Sequence, residues 1–391
     1  MIRPPEPIMM RIAIDAHAVG GHLTGNETYI RNLIRYLAKE DSNNQYTLFY
    51  TEPDAAAQLM ETGANFESKR LWPANPLVRI SLGMPLALRK CQADLVHVQY
   101  VSTLVGGPPV VVTVHDLSYE HHPEFFTKSE ALRLKATVRL TLRRASHVFT
   151  VSEFSKKDIV DFYGIPEERI SVTYDAVDPE FKKELPGKFI GEVCSSFAGA
   201  SKFILTVGNL QPRKNLVRLI RAYTRLRDCR PDIKHKLVIV GKQAWLYEPT
   251  LDCVRKNKWK EDIILTGYIS NETLHALYAG ADVFVYPSIF EGFGLPPLEA
   301  MASGTPVIAS NRSALPEVVG KAGILIDPYD IEAMAATMAS LILDSNIHKW
   351  YSEKGPAQAE RFRWEDCAKT TLDIYNRVVS ENRAGRRVAG R

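Results

Sequence analysis

Short apolar runs alternate along the chain with segments whose apolar residues recur at helical spacing. In the first half, the runs predict strands at residues 11–15, 46–50, 94–98, 110–114, 147–151 and 170–173. In the second half, they predict strands at residues 203–207, 237–240, 263–266, 283–286, 306–309 and 324–326. Short β-branched strands separated by helices are typical of a parallel sheet that is buried on both faces. The predicted fold class is therefore α/β, with one sheet in each half of the chain.

This alternation is interrupted once and ends in a long helix. Between residues 178 and 201 the periodicity is lost and Pro, Gly, Ser and charged residues are mixed, which is typical of an interdomain linker. Residues 363–379 carry one apolar stripe, which predicts a helix, whereas residues 382–391 hold four arginines among Ala and Gly, which favours a disordered tail. We therefore expect a first domain at 9–180, a linker at 181–201, a second domain at 202–362, a terminal helix at 363–380 and a basic tail at 381–391.

Composition narrows the class of protein. The net charge of +4, from 49 basic and 45 acidic residues, is too balanced to indicate nucleic-acid binding. The five cysteines are scattered and form no CxxC pair, which argues against a disulfide framework or a thiolate metal site and favours a cytoplasmic protein. No apolar run approaches the ~18 residues of a membrane helix, and residues 1–10 lack the apolar core of a signal peptide.

Polar residues and glycines follow the predicted strands, at the edge where parallel α/β sheets bind ligands. His115 and Asp116 come directly after the strand at 110–114. His115 could bind a ligand there, or could be a structural histidine that caps its own turn. The glycine-rich loop at residues 16–26, which includes Gly25, leads into a helix and could either receive an anion or form only a tight turn.

The stretch at residues 286–311 combines two carboxylates with a glycine-rich loop. Glu291 and Glu299 are separated by seven residues that include two glycines and two prolines. Because proline suits the first turn of a helix, we expect a loop up to Leu295 and a helix from Leu298, with Glu299 in its first turn. The N–H groups of such a loop can bind a phosphate, which leaves the two acids to contact hydroxyl groups. A sugar nucleotide supplies both kinds of group.

A turn with two cations follows the strand at 203–207. The strand ends at Gly208, and we expect a helix to begin near Asn215, with the side chain of Asn215 as its cap. Arg213 and Lys214 come just before this helix N-terminus, where two cations beside backbone N–H groups would bind a diphosphate. A solvated surface pair is the alternative, and the position at the sheet edge argues against it.

Together these motifs resemble a known family. VGNLQPRKNL, LTGYISNETLHALYAGADVFVYPS, FEGFGLPPLEAMASGTPVIASN and PEVVGKAGILIDP follow one another as in the second domain of the retaining glycosyltransferases of family four, which have the GT-B fold. TGNETYIRNL, VTVHDL and TVSEFSKKDI resemble the first domain of that family. The resemblance spans residues 11–379. It implies two Rossmann-like parallel-sheet domains that face each other across a cleft, with the terminal helix crossing back to the first, acceptor-side domain.

The resemblance also implies roles for individual residues. Lys214, with Arg213 beside it, would neutralise the diphosphate of the donor. Glu299 would bind the ribose hydroxyls, Glu291 would hold hydroxyls of the transferred sugar, and His115 would meet that sugar from the opposite domain. The remaining donor contacts implied by the resemblance are Gly25, Gly208, Asn209, Gly267, Tyr268, Ile269, Gly292, Phe293, Gly294 and Leu295.

Glycosyl transfer is also the chemistry that these residue types support. Fixed cations and helix N-termini can stabilise a diphosphate leaving group without a metal, and the sequence contains no DxD motif. We therefore expect an enzyme that needs neither a metal nor another cofactor. Retention of configuration could come from double displacement through Glu291 or from same-face attack guided by the leaving phosphate. We favour same-face attack, because Glu291 is expected to bind hydroxyls.

The predicted function is that of a retaining hexosyltransferase acting on a growing glycan or lipid-linked glycan. The donor base is not specified by backbone contacts, and by analogy we favour GDP-mannose over UDP-glucose. A nucleotide-sugar 2-epimerase of the same architecture is the alternative, although no acid/base pair for C2 stands out. A non-catalytic binding subunit is a further alternative, but such a subunit would lack counterparts of Lys214, Glu299 or His115.

One helix raises the question of membrane contact. Residues 128–144 contain six basic residues with Leu134, Val138 and Leu142 between them. This pattern suits either an amphipathic helix on an anionic membrane or a solvated helix face. Peripheral attachment at the inner face of the plasma membrane therefore stays open.

Overall fold

The structure is a computed structural model that describes residues 9–21, 25–59, 63–102 and 107–389. The chain divides into two compact units. The first comprises the chain up to Asp175 together with the residues from Trp364 onward, and the second is Ala176–Arg363. The described residues do not include 1–8 or 22–24. The expectation that residues 1–10 are not a signal peptide, and part of the glycine-rich loop at 16–26, therefore fall on residues that are not described.

A seven-stranded parallel sheet with the strand order β3-β2-β1-β4-β5-β6-β7 forms the first unit. Its elements are β1 (Arg11–Asp15), α1 (Gly25–Glu40), β2 (Gln45–Tyr50), α2 (Ala55–Leu59), β3 (Phe66–Arg70), α3 (Pro76–Val78), α4 (Met84–Cys91), β4 (Leu95–Gln99), β5 (Val110–Thr113), α5 (Ser118–His121), α6 (Lys128–Arg144), β6 (His147–Thr150), α7 (Glu153–Tyr163) and β7 (Ile170–Val172). A π-helical turn (Arg79–Gly83) joins α3 to α4, and 3₁₀ turns lie at Pro123–Phe125 and Glu167–Arg169.

The second unit has a six-stranded parallel sheet with the order β10-β9-β8-β11-β12-β13. Its elements are α8 (Gly187–Ala198), β8 (Phe203–Val207), α9 (Leu216–Cys229), β9 (Lys236–Val240), α10 (Glu248–Arg255), β10 (Ile263–Gly267), α11 (Asn271–Gly280), β11 (Val283–Tyr286), α12 (Leu295–Ala302), β12 (Val307–Ser310), α13 (Leu315–Val319), β13 (Ile324–Ile326), α14 (Ile331–Leu343) and α15 (Ser345–Ala359). Its 3₁₀ turns are Pro179–Lys182, Pro212–Lys214 and Lys260–Asp262.

Both sheets contain the order 3-2-1-4-5-6 that is characteristic of dinucleotide-binding α/β folds. In this order the crossovers leave the two middle strands in opposite directions, so a crevice opens beyond their carboxyl ends. The middle strands are β1 and β4 in the first unit and β8 and β11 in the second. The loops that follow β8 and β11 carry Lys214 and Glu291, respectively, which is why these residues meet despite their separation in sequence.

The twelve predicted strands are present, and β3 is an additional strand that the apolar pattern did not indicate. Its sequence, FESKR, is mostly charged because β3 is an edge strand with no buried residue. Its one aromatic residue, Phe66, stacks on Tyr46 of β2 with the ring centroids 4.3 Å apart. An edge strand of this kind has no apolar run by which to recognise it.

The segment predicted as a linker is largely helical. Residues 187–198 form α8, which packs against α11 within the second unit. The two helices approach closely because residue 280 is glycine: a Cβ atom there would lie 2.3 Å from Cys194 Sγ. The glycine that permits this packing lies on α11, whereas the glycines and serines of α8 are exposed. The segment is therefore a packed helix of the second unit.

The terminal helix α16 (Trp364–Ala389) extends beyond the predicted boundary at residue 380. It belongs to the first unit, where it packs against α1 and β4. The Tyr375 hydroxyl forms a hydrogen bond with His97 Nδ1 of β4. Arg383 lies in the predicted disordered tail, yet its Nη2 donates to Asp94 Oδ1 at 3.0 Å. Alanine and arginine favour helix, so the tail continues α16; residues 390 and 391 lie outside the described part.

The apolar stripe of α6 faces the protein core. Val138 and Leu142 are fully buried, and Leu134 packs against the same core cluster. The membrane interpretation of this stripe is therefore wrong, because these side chains cover the first sheet. Among the described residues, no helix has the length and apolar character to cross a membrane.

Candidate active site

The turn after β8 places two cations at the crevice of the second unit. A 3₁₀ turn carries Arg213 and Lys214, and Asn215 then adopts a left-handed conformation with φ of 58° before α9 begins. The predicted cap by Asn215 is wrong: its Nδ2 instead donates to the carbonyls of Pro287 (3.1 Å) and Pro328 (2.7 Å). Asn215 therefore ties the cation-bearing turn to the neighbouring loops.

Glu291 lies between these two cations. Lys214 Nζ is 2.6 Å from Glu291 Oε1, and Arg213 Nη1 is 2.7 Å from Oε2. The hydroxyls of Tyr286 (2.9 Å) and Ser288 (2.6 Å) also donate to Oε1. Burial alone would raise the pKa of Glu291, but the two cations and these donors outweigh it and lower the pKa to about 2. Glu291 is thus ionised at neutral pH.

Backbone contacts hold this cluster in place. Arg213 Nη1 also donates to the carbonyl of Phe290 at 3.0 Å, and the Arg213 carbonyl accepts from Ile289 N at 2.8 Å. Glu291 N donates to Ser313 Oγ at 2.9 Å. The loops after β8 and β11 are therefore fastened to each other by main-chain as well as side-chain bonds.

Two glycines make room for Lys214. Gly208 has φ of +154°, and a Cβ atom there would lie 3.1 Å from Lys214 Cε. Gly241 has φ of +152°, and a Cβ atom there would lie 2.1 Å from the carbonyl oxygen of Gly208. Side chains at either position would push the turn away. Asn209 follows Gly208 in the chain, and its Oδ1 accepts a hydrogen bond from Lys242 N at 3.3 Å.

The loop after β11 ends earlier than predicted. Helix α12 begins at Leu295 because its two prolines occupy first-turn positions that need no N–H bond, so Glu299 lies in the second turn. Gly294 precedes the helix with φ of +122°, and a Cβ atom there would lie 2.7 Å from Leu315 Cδ2. Gly292 and Phe293 are buried, and the Phe293 ring packs edge-on against Phe362.

Glu299 has a different environment from Glu291. It is buried, and its Oε2 accepts from the hydroxyl of Tyr278 at 2.9 Å. Burial raises the pKa of Glu299 to about 7; the Tyr278 hydrogen bond opposes this rise and the charge of Asp178 adds to it. Glu299 therefore changes protonation near neutral pH.

The predicted base contacts lie at the end of β10. Gly267 has φ of +71°, and its carbonyl accepts from Gly241 N at 3.0 Å. Tyr268 is exposed, and Lys242 Nζ lies 4.6 Å from the centroid of its ring. Ile269 is half-buried. The end of β10 is therefore hydrogen-bonded to Gly241, one of the two glycines that make room for Lys214.

The first unit carries His115 and Gly25. His115 follows β5, its Nε2 is 2.8 Å from Gln99 Oε1, and the ring of Tyr29 packs edge-on against it. Burial lowers the pKa of His115 to about 4, so the imidazole is neutral at pH 7. Gly25 is the first residue of α1, and the space around its Cα is open.

The sequence predicts that Arg213, Lys214 and Glu291 lie at one edge of the second sheet, and in the structure they form a single cluster. The sequence did not indicate that Tyr286, Ser288 and Ser313 are partners of Glu291, or that Tyr278 is the partner of Glu299. Tyr286 is the last residue of β11 and Ser288 lies in the loop that follows it, and this position at the ligand-binding edge was an available signal. Among the described residues, no group of three or more His, Cys, Asp or Glu side chains could hold a metal ion.

Comparison with known proteins assigns the chain to a family. Residues 23–181 match the model of Glycosyltransferase Family 4, and residues 195–358 match that of Glycosyl transferases group 1. The O-antigen chain mannosyltransferase B of Escherichia coli is 34% identical over 265 residues, which are 68% of this chain and 69% of that protein. This chain belongs to the group 1 glycosyltransferases.

Another relative and a solved structure extend the comparison over almost the whole chain. The MMP alpha-(1->4)-mannosyltransferase of Mycolicibacterium hassiacum is 27% identical over 95% of this chain and 99% of its own. The crystal structure of Anabaena Alr3699/HepE in complex with UDP and glucose superposes with a TM-score of 0.74 at 21% identity, over 94% of this chain and 99% of that one. The glycosyltransferase thus has the predicted GT-B fold of two Rossmann-like domains with a C-terminal helix.

The matched regions include the candidate site of this glycosyltransferase. The first contains Gly25 and His115, and the second contains Arg213, Lys214 and both glutamates. The chain is therefore an enzyme that transfers a glycosyl group.

Proposed function

We propose that this enzyme transfers mannose from GDP-mannose to a growing glycan or lipid-linked glycan, with retention of configuration and without a metal ion. The observation that carries the proposal is the cluster of Arg213, Lys214 and Glu291 at the crevice of the second sheet. Two cations and one ionised carboxylate leave a net charge of +1 where a diphosphate would bind. Mannose is the sugar named for both relatives described above.

In this proposal the cations stabilise the negative charge that develops on the leaving diphosphate. Preorganised cations are effective here because their positions are set before the reaction starts. Glu291 supplies that preorganisation, since it contacts both cations and receives two hydroxyl hydrogen bonds. A carboxylate engaged in this way is a poor nucleophile, which favours same-face attack over a covalent glycosyl intermediate on Glu291.

The other site residues take supporting roles in the proposal. Glu299 binds the ribose hydroxyls as a carboxylate, and the turn at residues 267–269 contacts the base. His115, neutral at pH 7, offers a hydrogen bond to the transferred sugar without adding a charge. We also propose that the enzyme works in the cytoplasm, in keeping with its scattered cysteines.

A thermal-shift panel with GDP, UDP and ADP tests the donor. A nucleotide at 100 times its dissociation constant should stabilise the enzyme by about 2.7 kcal/mol. We expect this shift with GDP and its loss in Lys214→Ala, while Lys258→Ala, which removes an exposed lysine, keeps it. A shift with UDP alone would contradict the guanine assignment.

Incubation with GDP-mannose in the absence of acceptor tests the reaction class. A transferase leaves the nucleotide sugar intact or hydrolyses it slowly, whereas a 2-epimerase converts it to its epimer. Chromatography of the nucleotide sugars separates these products. Appearance of the epimer would overturn the proposed transfer reaction.

A further inference from the structure

The first unit exposes a concentration of large apolar side chains on one short segment. Trp72 is 81% exposed, Leu77 73%, Leu82 61% and Leu86 56%. We call these four residues the apolar ridge. Isolated exposed leucines are ordinary, but four large exposed apolar side chains within residues 72–86 indicate an interaction surface.

Helical geometry places the three leucines of the ridge on one face of a helix. Residues 76–91 form a helix of α3, a π-helical turn and α4. Leu77 and Leu82 are five residues apart across the π-helical turn, and Leu86 follows four residues later. The hydrogen bonds of a π turn join residues five apart, and residues four apart in an α-helix are neighbours on its surface. The three leucines therefore align along the helix.

The opposite face of the same helix has the same spacing and is buried. Arg79, Met84 and Leu88 are also separated by five and then four residues, and all three are buried. Met84 and Leu88 belong to the core of the first unit. The π-helical turn thus keeps two stripes in register, one inside the protein and one outside.

This helix is firmly held, so its three exposed leucines are a fixed feature of the surface. Asn75 caps its start, with Oδ1 accepting from Leu77 N at 3.0 Å. The buried Arg79 Nη1 donates to both carboxylate oxygens of Asp15, at 2.8 and 2.7 Å. Asp15 is the last residue of β1, so the ion pair joins the helix to the ligand-binding edge of the first sheet.

The charged residues around the apolar ridge indicate which kind of partner binds it. No acidic residue occurs between Glu67 and Asp94, and Arg89 and Lys90 are exposed in the last turn of the helix. Leucines with a neighbouring tryptophan and flanking cations are typical of helices that lie in the interface of an anionic bilayer. We propose that the apolar ridge, together with Arg89 and Lys90, docks the enzyme on an anionic lipid surface. This inference is independent of the donor sugar.

Co-sedimentation with vesicles tests the docking surface. We expect the full chain to sediment with vesicles of phosphatidylcholine and phosphatidylglycerol at equal amounts, and to bind pure phosphatidylcholine at least tenfold more weakly. Leu82→Glu with Leu86→Glu should reduce binding to the mixed vesicles by tenfold or more. A nucleotide-induced thermal shift equal to that of the wild type would show that this variant is folded and retains its donor site.

A matched pair of charge reversals locates the surface. Arg89→Glu with Lys90→Glu should weaken sedimentation strongly, whereas Arg139→Glu with Arg143→Glu on α6, with the same change in net charge, should weaken it little. Equal effects of the two reversals would overturn the proposal, as would unchanged sedimentation of the leucine variant. Sedimentation velocity supplies another decisive outcome: a wild-type dimer that the leucine substitutions dissociate would assign the ridge to a second copy of this chain.

Discussion

Glu291 and Glu299 lie on the same loop-and-helix segment, are both buried, and have opposite electrostatic environments. Glu291 contacts two cations and two hydroxyl donors, and its pKa is lowered to about 2. Glu299 accepts from Tyr278, and burial raises its pKa to about 7. Burial alone therefore does not decide the charge of a carboxylate, because nearby cations can outweigh it. Pairs of acids separated in this way often divide the tasks of a site.

The largest effect is expected from removing a cation beside Glu291. Lys214→Ala should lower turnover by about 10²–10³-fold, the scale found when one preorganised charge-stabilising group is lost. The measurement is the steady-state rate of mannose transfer at saturating donor. Lys258→Ala, which removes an exposed lysine, should retain the wild-type rate. A rate within threefold of wild type in Lys214→Ala would show that the diphosphate binds elsewhere.

Removing the charge of Glu291 should affect stability as well as rate. Glu291→Gln leaves two cations without their carboxylate, which costs about 3–5 kcal/mol for a buried pair. Because the folded pKa is lowered from 4.5 to about 2, the ionised carboxylate stabilises the fold above pH 4.5, and that stabilisation is lost as pH falls through 2. Urea titrations between pH 3 and 7 should therefore show a smaller acid dependence in the variant. Isolation of a covalent glycosyl adduct on Glu291 would contradict the same-face mechanism.

Glu299 should show the opposite pH dependence. Its folded pKa is raised from 4.5 to about 7, so its contribution to stability is fully present below pH 4.5 and is lost as pH rises through 7. The difference of 2.5 pKa units corresponds to about 3 kcal/mol. Glu299→Gln should lack this loss, which urea titrations at pH 5 and pH 8 would measure. The same fall in stability in both proteins would exclude Glu299 as its source.

Donor binding gives a second measure of Glu299. If its carboxylate accepts from the ribose hydroxyls, wild-type affinity for GDP should increase as pH rises through about 7, because the ionised form is the better acceptor. Glu299→Gln should bind GDP about tenfold more weakly and without this pH dependence. Calorimetric titrations at pH 6 and pH 8 would measure both effects. A variant with the pH profile of the wild type would assign the titration to another group.

The smallest effects should come from the two tyrosines that donate to these acids. Tyr278→Phe removes the hydroxyl that donates to Glu299 and should cost about 1–2 kcal/mol. Tyr286→Phe removes a hydroxyl that donates to Glu291 and accepts from Lys214. It should cost less, because Lys214 and Glu291 keep each other and Glu291 Oε1 keeps Ser288. Paired urea titrations compare the two variants. The reverse order would mean that the donors around Glu291 do not substitute for one another.

Much of the fold could be predicted from the sequence because parallel strands buried on both faces leave continuous apolar runs. β3 has no such run, since it is a charged edge strand. The composition of α8 favours a loop, because its glycines and serines lie on the exposed face of the helix and do not reveal its packing against α11. The stripe of α6 looked suitable for a membrane because a helix that covers a sheet has the same pattern as one that lies on a bilayer.

Within the site, the sequence by itself determined which residues lie at the carboxyl edges of the strands. Arg213, Lys214 and Glu291 lie in loops that follow strands, and Glu299 lies in the helix that follows the loop of Glu291, so local chain geometry sets these positions. Which glutamate contacts the cations depends on the tertiary structure. Lys214 is 77 residues from Glu291 in sequence, and the two meet because β8 and β11 are neighbours in the sheet. Charges that come from distant segments, and the burial that strengthens their interaction, set the state of each carboxylate.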